Sequence, residues 1–150
     1  MFLHMFMINK AGSLIYYKEL SERAPKLDAN DQMRLGSTFH GLHAIASQIA
    51  PVASAGIESL ETDAFRLSCF QPQTGTKFFI TAEPSTADLD AVLQRIYELF
   101  TDVVLKNPFY ELEMPVRCAL FDTELERLIS ATTELQSQRR RGREGGQQYA

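Results

Sequence analysis

Four small groups of side chains have types that could do chemistry, and spacing decides what each can do. His40 and His43 stand three apart in a helical run, a separation that can bring two imidazoles to one metal ion. No carboxylate or cysteine on that side completes a ligand set, so both are expected to pack, and no metal or other cofactor is assigned. Cys69 and Cys118 have neither C-x-x-C nor metal-ligand spacing and read as reduced thiols, one in a strand and one in a helix. "TGTK" at 74–77 has half the composition of a phosphate loop. It lacks the Gly-x4-Gly-Lys spacing and precedes a strand, which makes it a hairpin turn. The acidic pairs Glu58/Glu61 and Glu111/Glu113 read as solvated edges rather than an acid and base working together. No G-x-S-x-G elbow and no cysteine–histidine–acid pattern is visible. The expectation is a protein that works by binding, without catalytic side chains of its own.

The elements that would position these groups follow from periodicity. Residues 2–8 are apolar on both alternating faces apart from His4, which suits a strand covered on two sides. "NKAG" supplies turn chemistry before a second strand, "SLIYYKEL". After a polar connection over 21–30, a helix is predicted over 31–50, capped by Asn30 or Asp28 and stopped at Pro51. Its Leu35, Phe39, Leu42, Ala46 and Ile49 recur at helical spacing and are expected to face the core. "GIESLETD" and "AFRLSCFQ" read as strands meeting at a Thr62-Asp63 turn, and "KFFITAE" as a third strand. Ser85 with Asp88 three residues on forms a capping-box signal for a helix reaching about Lys106. A last helix is predicted over 117–136, with Phe121, Leu125, Leu128 and Leu135 on one side. The order ββαβββαα implies an α+β fold: a five-stranded antiparallel sheet with one helix on one face and two on the other.

Composition agrees with an ordinary globular domain: 45% hydrophobic and 23% charged residues in 150, with net charge −4. That balance argues against nucleic acid as a partner. Arg139, Arg140, Arg141 and Arg143 against Glu144 concentrate +3 near the end, in "RRRGREGGQQYA". A domain over 1–137 and an Arg/Gly-rich disordered tail over 138–150 are expected, the tail suited at most to acidic lipid or acidic protein. "MFLHMFMINK" lacks a basic leader and a cleavage site, and no run reaches a bilayer-spanning length. A cytosolic chain is the expectation.

Two stretches remain unexplained by this frame. Between Arg34 and Glu58 there is no charged residue, and most of that interval is the first helix. Its other face is Met33, Ser37, His40, Gly41, Ala44 and Gln48, small and neutral. Gly36 and Gly41 each cost about 1 kcal/mol in a helix relative to Ala, a cost that close approach of another molecule would offset. A partner-binding face is expected, against the alternative of a merely uncharged surface. The second stretch is "LKNPFYELEMP", where Asn107 and Pro108 end the preceding helix, yet Phe109, Tyr110, Leu112 and Met114 are large and apolar. They are expected to pack beneath the last two helices and staple the joint. The other reading, a surface for a neighbouring subunit, stays open.

These pieces together resemble a known family. "INKAGSLIYYKEL", "GSTFHGLHAIASQIAP", "GIESLETDAFRLSCFQPQTGTKFF" and above all "LKNPFYELEMPVRCALFD" are similar, in order over residues 3–125, to the synbindin subunits of the transport protein particle (TRAPP) tethering complex. Animal synbindins carry a PDZ-like insertion between the second strand and the first helix. Only about ten polar residues occupy that place here, so the insertion's functions are not carried over. The resemblance implies a longin-like fold and a core subunit that pairs with a second longin-like subunit among other TRAPP subunits. It further implies a share in a surface for guanine-nucleotide exchange on a Rab-family GTPase of endoplasmic-reticulum-to-Golgi transport. The implied location is cytoplasmic, peripheral at endoplasmic reticulum and cis-Golgi membranes through the complex. The competing class is a longin-type module of another traffic system, an adaptor small chain or a SNARE regulatory domain. The sequence has no heptad coiled coil or membrane span for the second, and the first lacks the "LKNPFY-x-LEMP" block.

Overall fold

A strand that is apolar on both sides must lie in the middle of a sheet, and β1 (Phe2–Ile8) does. In this computed structural model, which describes residues 1–52, 56 and 58–147, β1 pairs with β2 (Leu14–Glu19) on one edge and β5 (Lys77–Ala82) on the other. β4 (Arg66–Phe70) and β3 (Ser59–Glu61) follow, giving the antiparallel order β2-β1-β5-β4-β3. Met5 and Met7 enter one core with Phe78 and Ile80, while Phe6 and Ile8 enter the other with Phe79 and Leu67. The turn between β1 and β2 needs Gly12 at φ +96°, a left-handed backbone that a Cβ would strain.

One helix, α1 (Ala29–Ile49), covers the Phe6 face; α2 (Leu89–Phe100) and α3 (Ala119–Gln147) cover the Met5 face. This is the expected α+β architecture, one helix on one face and two on the other, in the order ββαβββαα. No helix among the described residues is long and apolar enough to cross a membrane. The core on the Met5 face is stitched by polar bonds at its rim. Tyr16 Oη donates to Asp122 at 2.6 Å and Lys18 reaches Glu126 at 2.9 Å, tying β2 to α3. Burial, then the Asp122 carboxylate, push the Tyr16 phenol far above its ordinary pKa, so the bond persists at any physiological pH.

Several boundaries differ from those read in the sequence. Asp28 rather than Asn30 caps α1, its carboxylate accepting from Asp31 N at 2.8 Å. β3 is three residues long, and Ile57 of the predicted strand lies outside the described residues. α2 begins at Leu89, not near Ser85. Asp88 is its N-cap in a left-handed conformation (φ 64°) and makes no side-chain cap bond; its Oδ2 pairs with Arg139 at 2.9 Å. The end of that helix, a π-type turn over Thr101–Leu105, agrees with the Lys106 boundary.

Where the sequence reading leaves 138–150 as a disordered tail, α3 continues to Gln147 as one helix; residues 148–150 lie outside the described residues. Extending a formed helix needs no new nucleus, and Gln and Arg are good helix formers. Two bonds pin the extension, Arg139 to Asp88 and Arg140 to Ser85, just past a third from Gln136 to the Ala87 carbonyl. Phe121 and Leu125 are in the core as expected, and Leu128 packs at its margin. Leu135 of the same stripe is exposed, and Ile129 takes its place inside.

Candidate interaction surfaces

Which face α1 turns inward decides what it offers outside. The sheet beneath it is already filled by Phe6 and Phe79, and Phe39 lies between them with ring centroids 5.3 and 5.2 Å away. On either side of Phe39 the inward positions are Gly36 and His43. Gly36 lies over Leu14 and Ile8 of the chain's own sheet, so that glycine faces no outside molecule. His43 is buried because β4 and its following residue give it partners: Nε2 donates to Gln71 Oε1 at 2.6 Å, and the Cys69 thiol approaches Nδ1 at 3.8 Å. Leu42 and Ile49, expected in the core, are displaced from it. Leu42 is 41% exposed and Ile49 76%, with Ile45 exposed between them.

Of the predicted partner face, Met33, Ser37, Ala44 and Gln48 are exposed, and Gly41 is half-exposed with open space where a side chain would project. His40 departs from that set. Its ring leans over Gly12, and its Nδ1 is buried without a hydrogen-bond partner. Burial, with Lys77 and His43 nearby, holds His40 below the ordinary imidazole pKa, so it is neutral at pH 7. The outward side of α1 is thus charge-free past Arg34 and carries an aliphatic row, Leu42, Ile45 and Ile49. Sequence reasoning assigned Leu42 and Ile49 of that row to the core and did not place Ile45; the unbroken absence of charge was the signal that marked it.

The cysteine–histidine pairing invisible in the sequence does form, across 26 residues. A thiol beside an imidazole that is oriented by an amide has the outline of a nucleophile with its base. Burial pushes the Cys69 thiol up to about 12, so it stays protonated and donates a weak bond instead. His40 and His43 point to different neighbours. Among the described residues no group of three His, Cys, Asp or Glu is placed to hold a metal ion. Gly75 turns the "TGTK" segment at φ +89° between β4 and β5, as a hairpin requires. Glu61 is paired with Arg66 at 3.1 Å, and Glu111 and Glu113 are exposed on the loop before α3.

That loop does not pack beneath the helices. Phe109 is 92% exposed, Leu112 74% and Met114 51%. Only Tyr110 turns inward, its ring edge-on to Phe100 at 6.4 Å. The backbone explains why: Asn107 Oδ1 accepts from Phe109 N at 3.0 Å, an Asx turn that aims the Phe109 side chain outward. Pro108 stands inside that turn, where its fixed φ is favourable. The stapling expectation therefore holds for Tyr110 and fails for Phe109, Leu112 and Met114.

Residues 2–132 match the family model described as the Sybindin-like family. The chain belongs to the Sybindin-like family. This Sybindin-like chain is 54% identical over 127 residues to Trafficking protein particle complex subunit 4 of Dictyostelium discoideum, covering 83% of this chain and 93% of that one. It is 52% identical over 103 residues to the Homo sapiens protein of the same name, which covers 68% of this chain but 47% of that one. It thus spans about half the length of the mammalian subunit 4 relatives it matches. Trafficking protein particle complex subunit 1 of Dictyostelium discoideum is more distant, 27% identical over 130 residues (83% and 92% of the two chains). The Sybindin-like fold also aligns with the gliding protein MglB of Thermus thermophilus at 15% identity and TM-score 0.49, over 87% and 79% of the two chains. That similarity is too slight to bear on function.

Proposed function

We propose that this chain is a core subunit of a trafficking protein particle complex, contributing surface rather than catalytic side chains to guanine-nucleotide exchange on a Rab-family GTPase. The observation that carries this reading is the 54% identity along nearly the whole of a subunit 4 from Dictyostelium discoideum. The weaker likeness to a subunit 1 supports a second longin-like subunit as its neighbour. The Leu42/Ile45/Ile49 row supports an assembled life, since an exposed aliphatic stripe without charge is what an obligate interface offers. Exchange asks for nothing more chemical. A surface that binds the nucleotide-free GTPase more tightly than the loaded form weakens nucleotide binding by linkage. In this reading the chain works in the cytoplasm, peripheral to endoplasmic reticulum and cis-Golgi membranes through its complex.

The test is a tagged full-length chain expressed in its own cells. Trafficking-complex subunits should co-elute with it at fixed stoichiometry, and the eluted assembly should accelerate release of fluorescent GDP from the Rab-family GTPase. The isolated chain should leave release at its intrinsic rate. Fast release by the single chain, or elution without other subunits, overturns the proposal.

A further inference from the structure

The loop between α2 and α3 is exposed, yet it is built rather than loose. Besides the Asx turn, Tyr110 N donates to the Asn107 carbonyl at 3.1 Å, and Tyr110 Oη donates to the Met114 carbonyl at 2.8 Å. Asn9 Nδ2 reaches from the β1–β2 turn to the Glu113 carbonyl at 2.9 Å, and Val116 N donates to Ile15 O on the edge of β2 at 2.8 Å. Glu113 is held at φ +66°, a left-handed conformation that a glutamate rarely adopts and that its surroundings must enforce. Fixed strain of this kind concentrates at binding sites. The same scaffold holds three large apolar side chains in water within six residues, which scattered exposure does not explain.

Two grooves flank the Tyr110 ring. One, of about 360 Å³, runs between Phe109, Met114 and Cys118; the other, of about 320 Å³, lies between Leu112, Phe100 and Ile15. Glu111 and Arg117 border the first and Glu113 the second, and neither glutamate has an ion-pair partner among the described residues. We infer that this loop is a preformed docking knob for a neighbouring protein subunit, one whose surface offers an apolar pocket for Phe109 and Leu112 with Lys or Arg at its rim. A rigid aromatic anchor with a polar surround is the arrangement that concentrates binding energy. The loop stands with the α2–α3 layer and the aliphatic row of α1 on the opposite face of the sheet. This inference rests on the reading of the chain as a complex subunit.

The experiment compares wild type, Phe109→Ala, Leu112→Ser and the double variant Glu111→Lys/Glu113→Lys, each purified as a tagged full chain with its assembly. Thermal midpoints of the isolated chains should match, because the altered groups are exposed. Phe109→Ala should lower recovery of at least one co-eluting subunit tenfold while others remain. The charge reversal should weaken the same association, by a factor that shrinks as salt rises. A fallen midpoint would show the loop to be core, and full recovery of every subunit by Phe109→Ala would show it to be plain surface; either overturns the inference. Wild type eluting alone would instead strike the functional reading. Vesicles of phosphatidylcholine, with and without 30% phosphatidylserine, provide the last arm. Binding that Phe109→Ala abolishes there, with assembly intact, would assign the knob to a membrane and refute a protein neighbour.

Discussion

Replacing Gly36 by alanine should stabilise the protein, against the intuition that a buried glycine marks a place with no room. A Cβ at Gly36 would meet Leu14 Cδ1 at 3.5 Å, Leu14 Cβ at 3.6 Å and Ile8 Cδ1 at 3.7 Å, ordinary contact with two side chains. The helix gains about 0.8–1 kcal/mol from losing a glycine, and a buried methyl adds about 0.8 kcal/mol. The total is about 1.5–2 kcal/mol, or roughly 3–8 °C in midpoint for a domain of this size. Gly41→Ala is the internal control. Nothing lies within 4 Å of its new methyl, so it should gain the helix term alone, and the difference between the variants isolates the packing term. Gly12→Ala should go the other way, since its Cβ would stand 2.8 Å from His40 Cδ2 at φ +96°. Urea unfolding measures all three, with the midpoint shifting at constant slope. A destabilised Gly36→Ala would mean that α1 lies closer to β2 than these distances allow, and the account of the inward face would fall with it.

Gly41→Arg should leave the isolated chain folded, with a gain of about 0.8 kcal/mol in helix propensity, but exclude whichever subunit covers α1; unchanged co-purification would make that face plain surface. Deleting residues 139–150 removes the Arg139–Asp88 and Arg140–Ser85 contacts, both exposed. The expected cost is under about 1 kcal/mol by chemical denaturation, and a loss of several would show the end of α3 to be structural. A thiol reagent at pH 8 should label Cys118 well before Cys69, whose thiol is buried and titrates at about 12. Rapid labelling of both in the native protein would contradict the His43–Cys69–Gln71 arrangement.

The order of elements was readable because the strands are short apolar runs bounded by turn residues, whereas apolar residues recur near 3.6 in the helices. The facing of α1 was not. Leu42 and Ile49 fit the apolar spacing as well as Gly36 and His43 fit none, and the reason for His43 lies on β4, out of reach of local pattern. Gly36 looked like a site for an outside molecule because sequence shows the cost of a glycine and not the Leu14 above which it sits. The candidate surfaces were half legible. Absence of charge picked out the outer side of α1, though not Leu42, Ile45 and Ile49 on it, and it took in His40, whose ring leans over Gly12. Asn107-Pro108 announced a turn, but not that the turn throws Phe109 outward. Two contacts, to Ser85 and Asp88, hold the extension of α3, and no composition rule for an Arg/Gly-rich segment anticipates them.

The central place of β1 also has a consequence in time. Its two pairing edges are completed by strands at very different distances along the chain: β2 follows after a short turn, whereas β5 lies about seventy residues later. At about 5–20 residues per second during synthesis, the β1–β2 hairpin waits roughly 4–14 s for its other neighbour. Throughout that interval Phe2 and Met5, nearly inaccessible in the finished fold, lack both β5 and the later α2–α3 layer, while Phe6 and Ile8 are uncovered until α1 has been made. The nascent chain is therefore a ready client for chaperones that recognise short apolar segments, and its yield in cells should respond to their supply more than its final stability would suggest.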